Sequence, residues 1–277
     1  MYSGLYPILQ TPFDSNGEID YDSLRRLIEH VRAEGVEGIV FPGFVSEWWR
    51  LTDAEILECA SAVGESFIGV VTPQSTPPAL ARLREFERIG ACGLMLLPPF
   101  LLNSVSPLGQ IGALLSATSL PCILQDSAGL TGTRTDPVTL SEVALAHPNL
   151  RGVKVDQVPT GPAIEALRSR PALNQLSYLA GYSGVQWADA KRRGASALMS
   201  GCAHIALDRA MLGDEEAYYR AVPLLSFEMQ TIDMVTAVHK QLLFERGVIR
   251  TPELRAPSSR LDAIQLGYLS ELRERLL

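Results

Sequence analysis

The chain has 277 residues, 47% of them hydrophobic, and a formal net charge of −7. That length and apolar content suit one large α/β domain with a sizeable core, and the acidic balance argues against a broad nucleic-acid surface. No window approaches 18 uninterrupted apolar residues, so no membrane span is expected. The four cysteines, Cys59, Cys92, Cys122 and Cys202, are far apart. They read as buried thiols of a reduced compartment, not as a disulfide framework. Met1-Tyr2-Ser3-Gly4 carries neither the basic segment nor the apolar stretch of a signal peptide, so a cytoplasmic location is the expectation.

Short apolar runs alternate with helical patterns. Gly4 to Leu9 reads as a first strand, closed by Thr11-Pro12. Tyr21 to Glu34 reads as a helix with Leu24, Leu27, Ile28 and Val31 on one face and Gly35 as its stop. Gly38 to Phe41 is a second strand. Thr52-Asp53-Ala54-Glu55 has the form of a capping box and opens a helix to about Val63. Strands at Phe67–Val71, Gly93–Leu97 and Pro121–Gln125 alternate with helices at about Pro78–Ile89 and Pro107–Thr118. A helix then runs from Thr135-Asp136-Pro137 to His147, with proline near its first position. Further strands are predicted at Gly152–Lys154, Leu176–Ala180 and Ala197–Ser200, separated by helices around Pro162–Ser169 and Val185–Arg193.

Eight strand–helix units with continuously apolar strands predict an α/β fold, a (β/α)8 TIM barrel over residues 1–204. A doubly wound sheet is the competitor, but no glycine-rich dinucleotide fingerprint is present. From Ile205 the strand signal stops, and residues 205–277 read as a small C-terminal helical appendage. Its stripe of Leu224, Leu225, Met229, Met234 and Val238 must pack on the barrel or on a neighbour.

Lys154 ends a short buried-strand pattern, Leu150-Arg151-Gly152-Val153-Lys154. A lysine is rarely buried without a partner or a purpose. Desolvation disfavours the ammonium, and a neutral amine attacks carbonyl carbons. The alternative is a strand-end lysine that reaches water. The histidines His30, His147, His204 and His239 lack metal-ligand spacing with one another or with the cysteines, and no metal site is expected. His204, after the eighth strand, reads chiefly as a core or capping residue, and Glu47 as support for its loop.

Several landmarks occur in order. They are Phe13-Asp14-Ser15-Asn16-Gly17-Glu18-Ile19-Asp20, Gly43-Phe44-Val45-Ser46-Glu47-Trp48-Trp49-Arg50-Leu51-Thr52, Gly152-Val153-Lys154, Gly181-Tyr182, Gly194-Ala195 and Ser200-Gly201. With these the chain resembles the dihydrodipicolinate synthase and N-acetylneuraminate lyase family along its whole length. The resemblance implies a class I aldolase or lyase needing no cofactor. In such an enzyme Lys154 condenses with the ketone of a 2-oxo acid to form an imine, and C–C bonds are made or broken through an enamine. It also implies a substrate site including Gly43, Phe44, Val45, Ser46, Phe100, Gly181, Tyr182 and Gly201. A homo-oligomer, dimer or tetramer, is implied as well, and the apolar Trp48, Trp49 and Phe100 give a second reason to expect self-association. The expected partner is a small carbonyl substrate, with no nucleic acid and no membrane.

The chain also departs from the family pattern. Phe44 and Val45 stand where two hydroxyl residues help hold the substrate carboxylate, leaving backbone N–H groups and Ser46. Gln125 stands at the place of a proton-relaying tyrosine, and a carboxamide does not titrate near neutrality. Gln125 can still hydrogen-bond a substrate oxygen. The neighbouring Asp126 becomes an acid/base candidate, or else a turn residue. Leu97-Pro98-Pro99-Phe100 replaces a Pro-Tyr-Tyr pattern, and Leu130 lies near the place of a common arginine, with Arg134 close by. These changes predict a Schiff-base lyase with non-standard substrate choice. The alternatives are a degenerate member that binds a metabolite, or an imine-dependent hydratase, dehydratase or decarboxylase.

Overall fold

The computed structural model describes residues 1–100, 108–132 and 135–276. In chain order the elements are β1 (Gly4–Leu5), α1 (Tyr21–Ala33), β2 (Ile39–Phe41), α2 (Asp53–Val63), β3 (Phe67–Val71), α3 (Thr76–Ile89), β4 (Gly93–Leu96), α4 (Leu108–Ser116), β5 (Cys122–Asp126), α5 (Ala128–Thr131), α6 (Pro137–Ala146), β6 (Leu150–Val155), α7 (Thr160–Arg168), β7 (Ser177–Ala180), α8 (Trp187–Arg192) and β8 (Ala195–Leu198). Helices α9 (Ile205–Gly213), α10 (Glu215–Glu228), α11 (Ile232–Glu245) and α12 (Ala263–Leu276) follow. This is the element order of a (β/α)8 barrel with a helical tail. The chain divides into two compact units, residues 1–4, 64–182 and 186–199 forming the first and residues 5–63, 183–185 and 200–277 the second.

In the first unit β3 to β8 form a parallel sheet in which each strand pairs with the next. Every residue of β3, β4, β5 and β7 is buried, which is why β3 and β4 are continuously apolar rather than alternating. Leu83 and Phe86 of α3, Ile111 and Leu115 of α4, Leu140 of α6, and Ile164 and Leu167 of α7 are buried with them. Each such side chain stabilises the core by about 1.5–3 kcal/mol. Phe86 seats edge-on against Phe67, centroids 5.7 Å apart. Gly69 lets it do so, since a Cβ there would come within 2.6 Å of the Phe86 ring.

In the second unit Ile8 makes parallel bridges to both Val40 and Gly201. The apolar face of α1 (Leu24, Leu27, Ile28, Val31) is buried as its spacing predicts, and Asp20 caps it by accepting the Ser23 N–H at 3.0 Å. Leu224, Leu225, Met234 and Val238 are buried within this chain and Met229 is half-buried, so four of the stripe's five residues are covered without a neighbouring molecule. Helix α11 packs against the turn Phe44–Ser46, so the tail supports the loop after β2.

Some boundaries differ from expectation. β1 is two residues rather than Gly4–Leu9, because Pro7 has no N–H to extend a ladder. β8 begins at Ala195, since Gly194, with φ of +103°, turns the chain out of α8 directly into the sheet. The short α5 after Ser127 was not expected. Cys59, Cys122 and Cys202 are buried free thiols, but Cys92 is exposed: it lies just before β4, ahead of the covered strand. Pro107, the expected start of α4, and Arg134 lie outside the described residues.

Candidate active site around Lys154

β6 explains the placement of Lys154. Side chains alternate along a strand, so Gly152, Lys154 and Asp156 share one side, with Arg151, Val153 and Val155 on the other. Arg151 is exposed, whereas Lys154 is 4% and Asp156 5% exposed. Lys154 Nζ lies 3.3 Å from Asp156 Oδ2. The same oxygen accepts a hydrogen bond from Gln125 Nε2 at 2.8 Å, and Oδ1 accepts the Tyr182 backbone N–H at 3.0 Å. Gln125 reaches this point because it is the register partner of Lys154.

Gly181 makes room for the group. A Cβ on it would overlap Asp156 Oδ1 and come within 2.9 Å of Lys154 Cε. Tyr182 follows in the left-handed region, φ 54°, a conformation that costs a non-glycine residue about 1–2 kcal/mol. Beside Asp156 a cleft of about 300 Å³ is lined by Ala128, Leu130, Gln157, Val158 and Tyr182.

Asp126 stands elsewhere. It pairs in register with Val155, not Lys154, and so has the opposite strand parity from Gln125. Its Oδ2 accepts a hydrogen bond from Gln157 Nε2, while Oδ1 is buried with no hydrogen-bond partner among the described residues. Burial pushes its carboxyl above the ordinary range, against the hydrogen bonds from Gln157 and Thr135. Phe100 is half-buried, its backbone N–H bonded to Gln74 Oε1 at 2.7 Å.

The remaining expected residues lie in the second unit. Gly43 packs its backbone onto Ile8, whose side chain would collide with a Cβ. Ser46 Oγ accepts the Gly43 N–H at 2.9 Å and donates to the Leu9 carbonyl, so its hydroxyl is spent on the turn. Val45 is buried at 8% exposure, and Phe44 stacks at centroid distances of 6.4 and 6.2 Å with Trp48 and Trp49. Glu47 is fully buried and supports the loop. It is bound by Lys240 Nζ, by Arg50 Nη1 at 2.9 Å and by the Arg255 N–H at 3.1 Å. Burial lowers Lys240 to about 8, with Glu47 opposing the shift.

Gly201 lies against the His239 ring, which a Cβ would strike. His239, His204 and Glu228 are all buried and hold donor atoms close enough together to ligate a cation. Their hydrogen bonds suit protons instead. The Ala203 N–H donates to His239 Nδ1 at 3.0 Å, so that nitrogen bears a lone pair and the ring proton sits on Nε2. A metal-bound histidine does the reverse, donating from its second nitrogen. His204 lies between Asp208 at 3.1 Å and Glu228 at 3.2 Å. Burial works against its imidazolium, but the two carboxylates outweigh that and raise its pKa well above the ordinary value. Glu228 is correspondingly lowered: burial opposes this, and the attraction of His204 and His239 prevails.

The structure therefore gathers Lys154, Gln125, Gly181 and the Tyr182 backbone around Asp156, a residue the sequence reading passed over. Its spacing, two residues after the lysine and thus on the same side of the strand, is the signal in the sequence that points to it.

The dihydrodipicolinate synthetase family profile matches residues 1–217. Among curated proteins, 4-hydroxy-tetrahydrodipicolinate synthase 1 of Streptomyces coelicolor is 30% identical over 275 residues, 91% of this chain and 87% of its own length. An uncharacterized DapA-like lyase of Rhizobium meliloti is 32% identical over 150 residues, 52% of this chain and 50% of its own. The 4-hydroxy-tetrahydrodipicolinate synthase of Stenotrophomonas maltophilia strain R551-3 is 32% identical over 193 residues, 66% and 63% respectively. The chain thus spans half to just under two thirds of these last two relatives. The crystal structure of dihydrodipicolinate synthase from Rhodopseudomonas palustris matches with a TM-score of 0.87 at 24% identity, over 99% of this chain and 98% of that one. YagE, a prophage protein of the dihydrodipicolinic acid synthase family from E. coli K12 solved with pyruvate, matches with a TM-score of 0.85 at 18% identity, over 100% and 99%. These likenesses make the fold a TIM barrel with C-terminal helices, and with the profile match they establish that the chain belongs to the dihydrodipicolinate synthetase family.

Proposed function

We propose that this protein is a class I lyase or aldolase that forms an imine between Lys154 and a 2-oxo acid or related carbonyl substrate. The observation that carries the reading is a buried lysine at the C-terminal end of a parallel barrel strand, where barrel chemistry is built, within an array of polar groups that fix its surroundings. A protonated imine withdraws electrons from the neighbouring carbon, so a C–C or C–O bond there can be made or broken through an enamine. Gln125 donates its amide N–H to Asp156, and its carbonyl oxygen is the proposed acceptor for a substrate hydroxyl.

Pyruvate, the ligand in the YagE structure, is one candidate substrate. The side chains of Phe44 and Val45 offer no donor to its carboxylate, and Ser46 is committed to its own turn. A larger and less polar oxo acid is therefore the better fit. The protein is further proposed to act in the cytoplasm as a dimer or tetramer. Trp49, 41% exposed, is the apolar residue of the loop left for a subunit contact.

Borohydride trapping with pyruvate and with longer 2-oxo acids, followed by peptide mapping, tests the chemistry. Reductive labelling of Lys154 is expected. Absence of label at Lys154 with every oxo acid overturns it. The missing phenol at Gln125 favours a second reading, a metabolite-binding member without turnover. Metabolite binding unaffected by Lys154→Ala would support that reading, and steady turnover abolished by Lys154→Arg would exclude it.

A further inference from the structure

We propose that Asp156 is the acid–base group of imine formation at Lys154, replacing a phenol that the chain does not supply from β5. The inference rests on the imine reading and adds to it the residue that moves the protons. Imine formation requires several proton transfers between nitrogen and oxygen. Gln125, at the strand position facing Lys154, carries an amide that neither gains nor loses a proton near neutrality. A group that does must lie within hydrogen-bond reach of the reacting nitrogen.

Asp156 meets that requirement. Its Oδ2 is 3.3 Å from Lys154 Nζ, and its orientation is held from three sides. Gln125 Nε2 binds Oδ2 at 2.8 Å, the Tyr182 N–H binds Oδ1 at 3.0 Å, and Gly181 leaves the volume the carboxylate occupies. Gln125 thereby acts as a positioning residue for the carboxylate. Two other titratable candidates are engaged elsewhere. Asp126 has the other strand parity and binds Gln157. Tyr178 donates its hydroxyl to the Leu173 carbonyl at 2.9 Å.

The steps balance with water as the only product besides the imine. The ammonium–carboxylate pair holds one transferable proton, which moves from Nζ to Asp156 and frees the amine. The amine lone pair attacks the carbonyl carbon, the C=O π pair moves to oxygen, and that oxygen takes the proton from Asp156. Asp156 then removes a proton from the nitrogen and delivers it to the hydroxyl. The C–O bond breaks, water leaves, and the nitrogen lone pair forms the C=N bond. The resulting iminium has the Asp156 carboxylate beside it as counter-charge.

The test is the rate of cyanoborohydride trapping of Lys154 with pyruvate, or with whichever longer 2-oxo acid labels the wild-type protein, measured across pH. Asp156→Asn is expected to slow trapping by about a hundredfold or more and to change the shape of the pH profile. In Asp156→Ala, added formate is expected to restore labelling. Should the asparagine variant fail to fold, this rescue decides alone, and no gain from formate overturns the proposal. Trapping in Asp156→Asn at the wild-type rate, or a large loss confined to Tyr182→Phe, also overturns it while leaving the imine intact. A wild-type protein that labels with no oxo acid removes the imine reading and the Asp156 role together.

Discussion

Glu47→Gln should strongly destabilise the protein without touching Lys154. Glu47 and Lys240 are both fully buried. Removing the carboxylate leaves the ammonium with the Glu253 carbonyl at 2.8 Å and the face of Phe13, 4.3 Å from its centroid. It also takes a partner from Arg50 and from the Arg255 N–H. Breaking one side of a buried pair costs about 3–5 kcal/mol. For a chain of this size that is a fall of roughly 6–20 °C in Tm at about 2–4 °C per kcal/mol. The pH dependence gives a second signature. Lys240 already titrates at about 8, below its unfolded value of 10.5, so the folded state binds its proton less tightly than the unfolded state, and the penalty is relieved as pH rises through that window. Losing Glu47 removes the attraction that opposes the shift, so the variant's deficit should be larger at pH 6.5 than at pH 9. Glu47→Gln with Lys240→Met should recover much of the loss, because no uncompensated charge remains. Urea denaturation and calorimetry at the two pH values measure this. A single variant within about 0.5 kcal/mol of wild type, or a double variant no more stable than Glu47→Gln, would refute the buried-pair reasoning.

Gly181→Ala must displace Asp156, losing at least one hydrogen bond to a charged acceptor worth about 1.5–3 kcal/mol. Trapping of Lys154 should slow by about ten- to a hundredfold, and an unchanged rate would refute the close approach. Glu228→Gln should be destabilising by about 3–5 kcal/mol with a defined pH window. The raised His204 pKa stabilises fully below its ordinary value near 6.5 and loses effect as pH rises above it. The lowered Glu228 pKa stabilises above its ordinary value near 4.5 and loses effect as pH falls. Denaturant midpoints should therefore show the largest gap from wild type between about pH 4.5 and 6.5. Light scattering should show a dimer or tetramer, and a stable, active monomer would remove the proposed subunit contact at Trp49.

The strand–helix alternation, the capped α1 and the buried face Leu24, Leu27, Ile28 and Val31 were legible because periodicity and capping are local properties that a linear chain carries in its own order. The burial of Lys154 at a strand end was legible for a related reason: a lysine closing an apolar strand is anomalous wherever the chain folds. Sequence could not assign Asp126 and Asp156, both acids at strand ends. Only the register of β5 against β6 gives Gln125 to Lys154 and Asp126 to Val155, and the fold alone brings the backbone of Gly181-Tyr182, 25 and 26 residues away in sequence, against Asp156. The buried partners of Glu47 and His204 were hidden likewise, because Lys240 and Glu228 meet them across 193 and 24 residues. A charge looks solvated in sequence. Burial, and with it the need for a partner, is created when distant segments pack and exclude water.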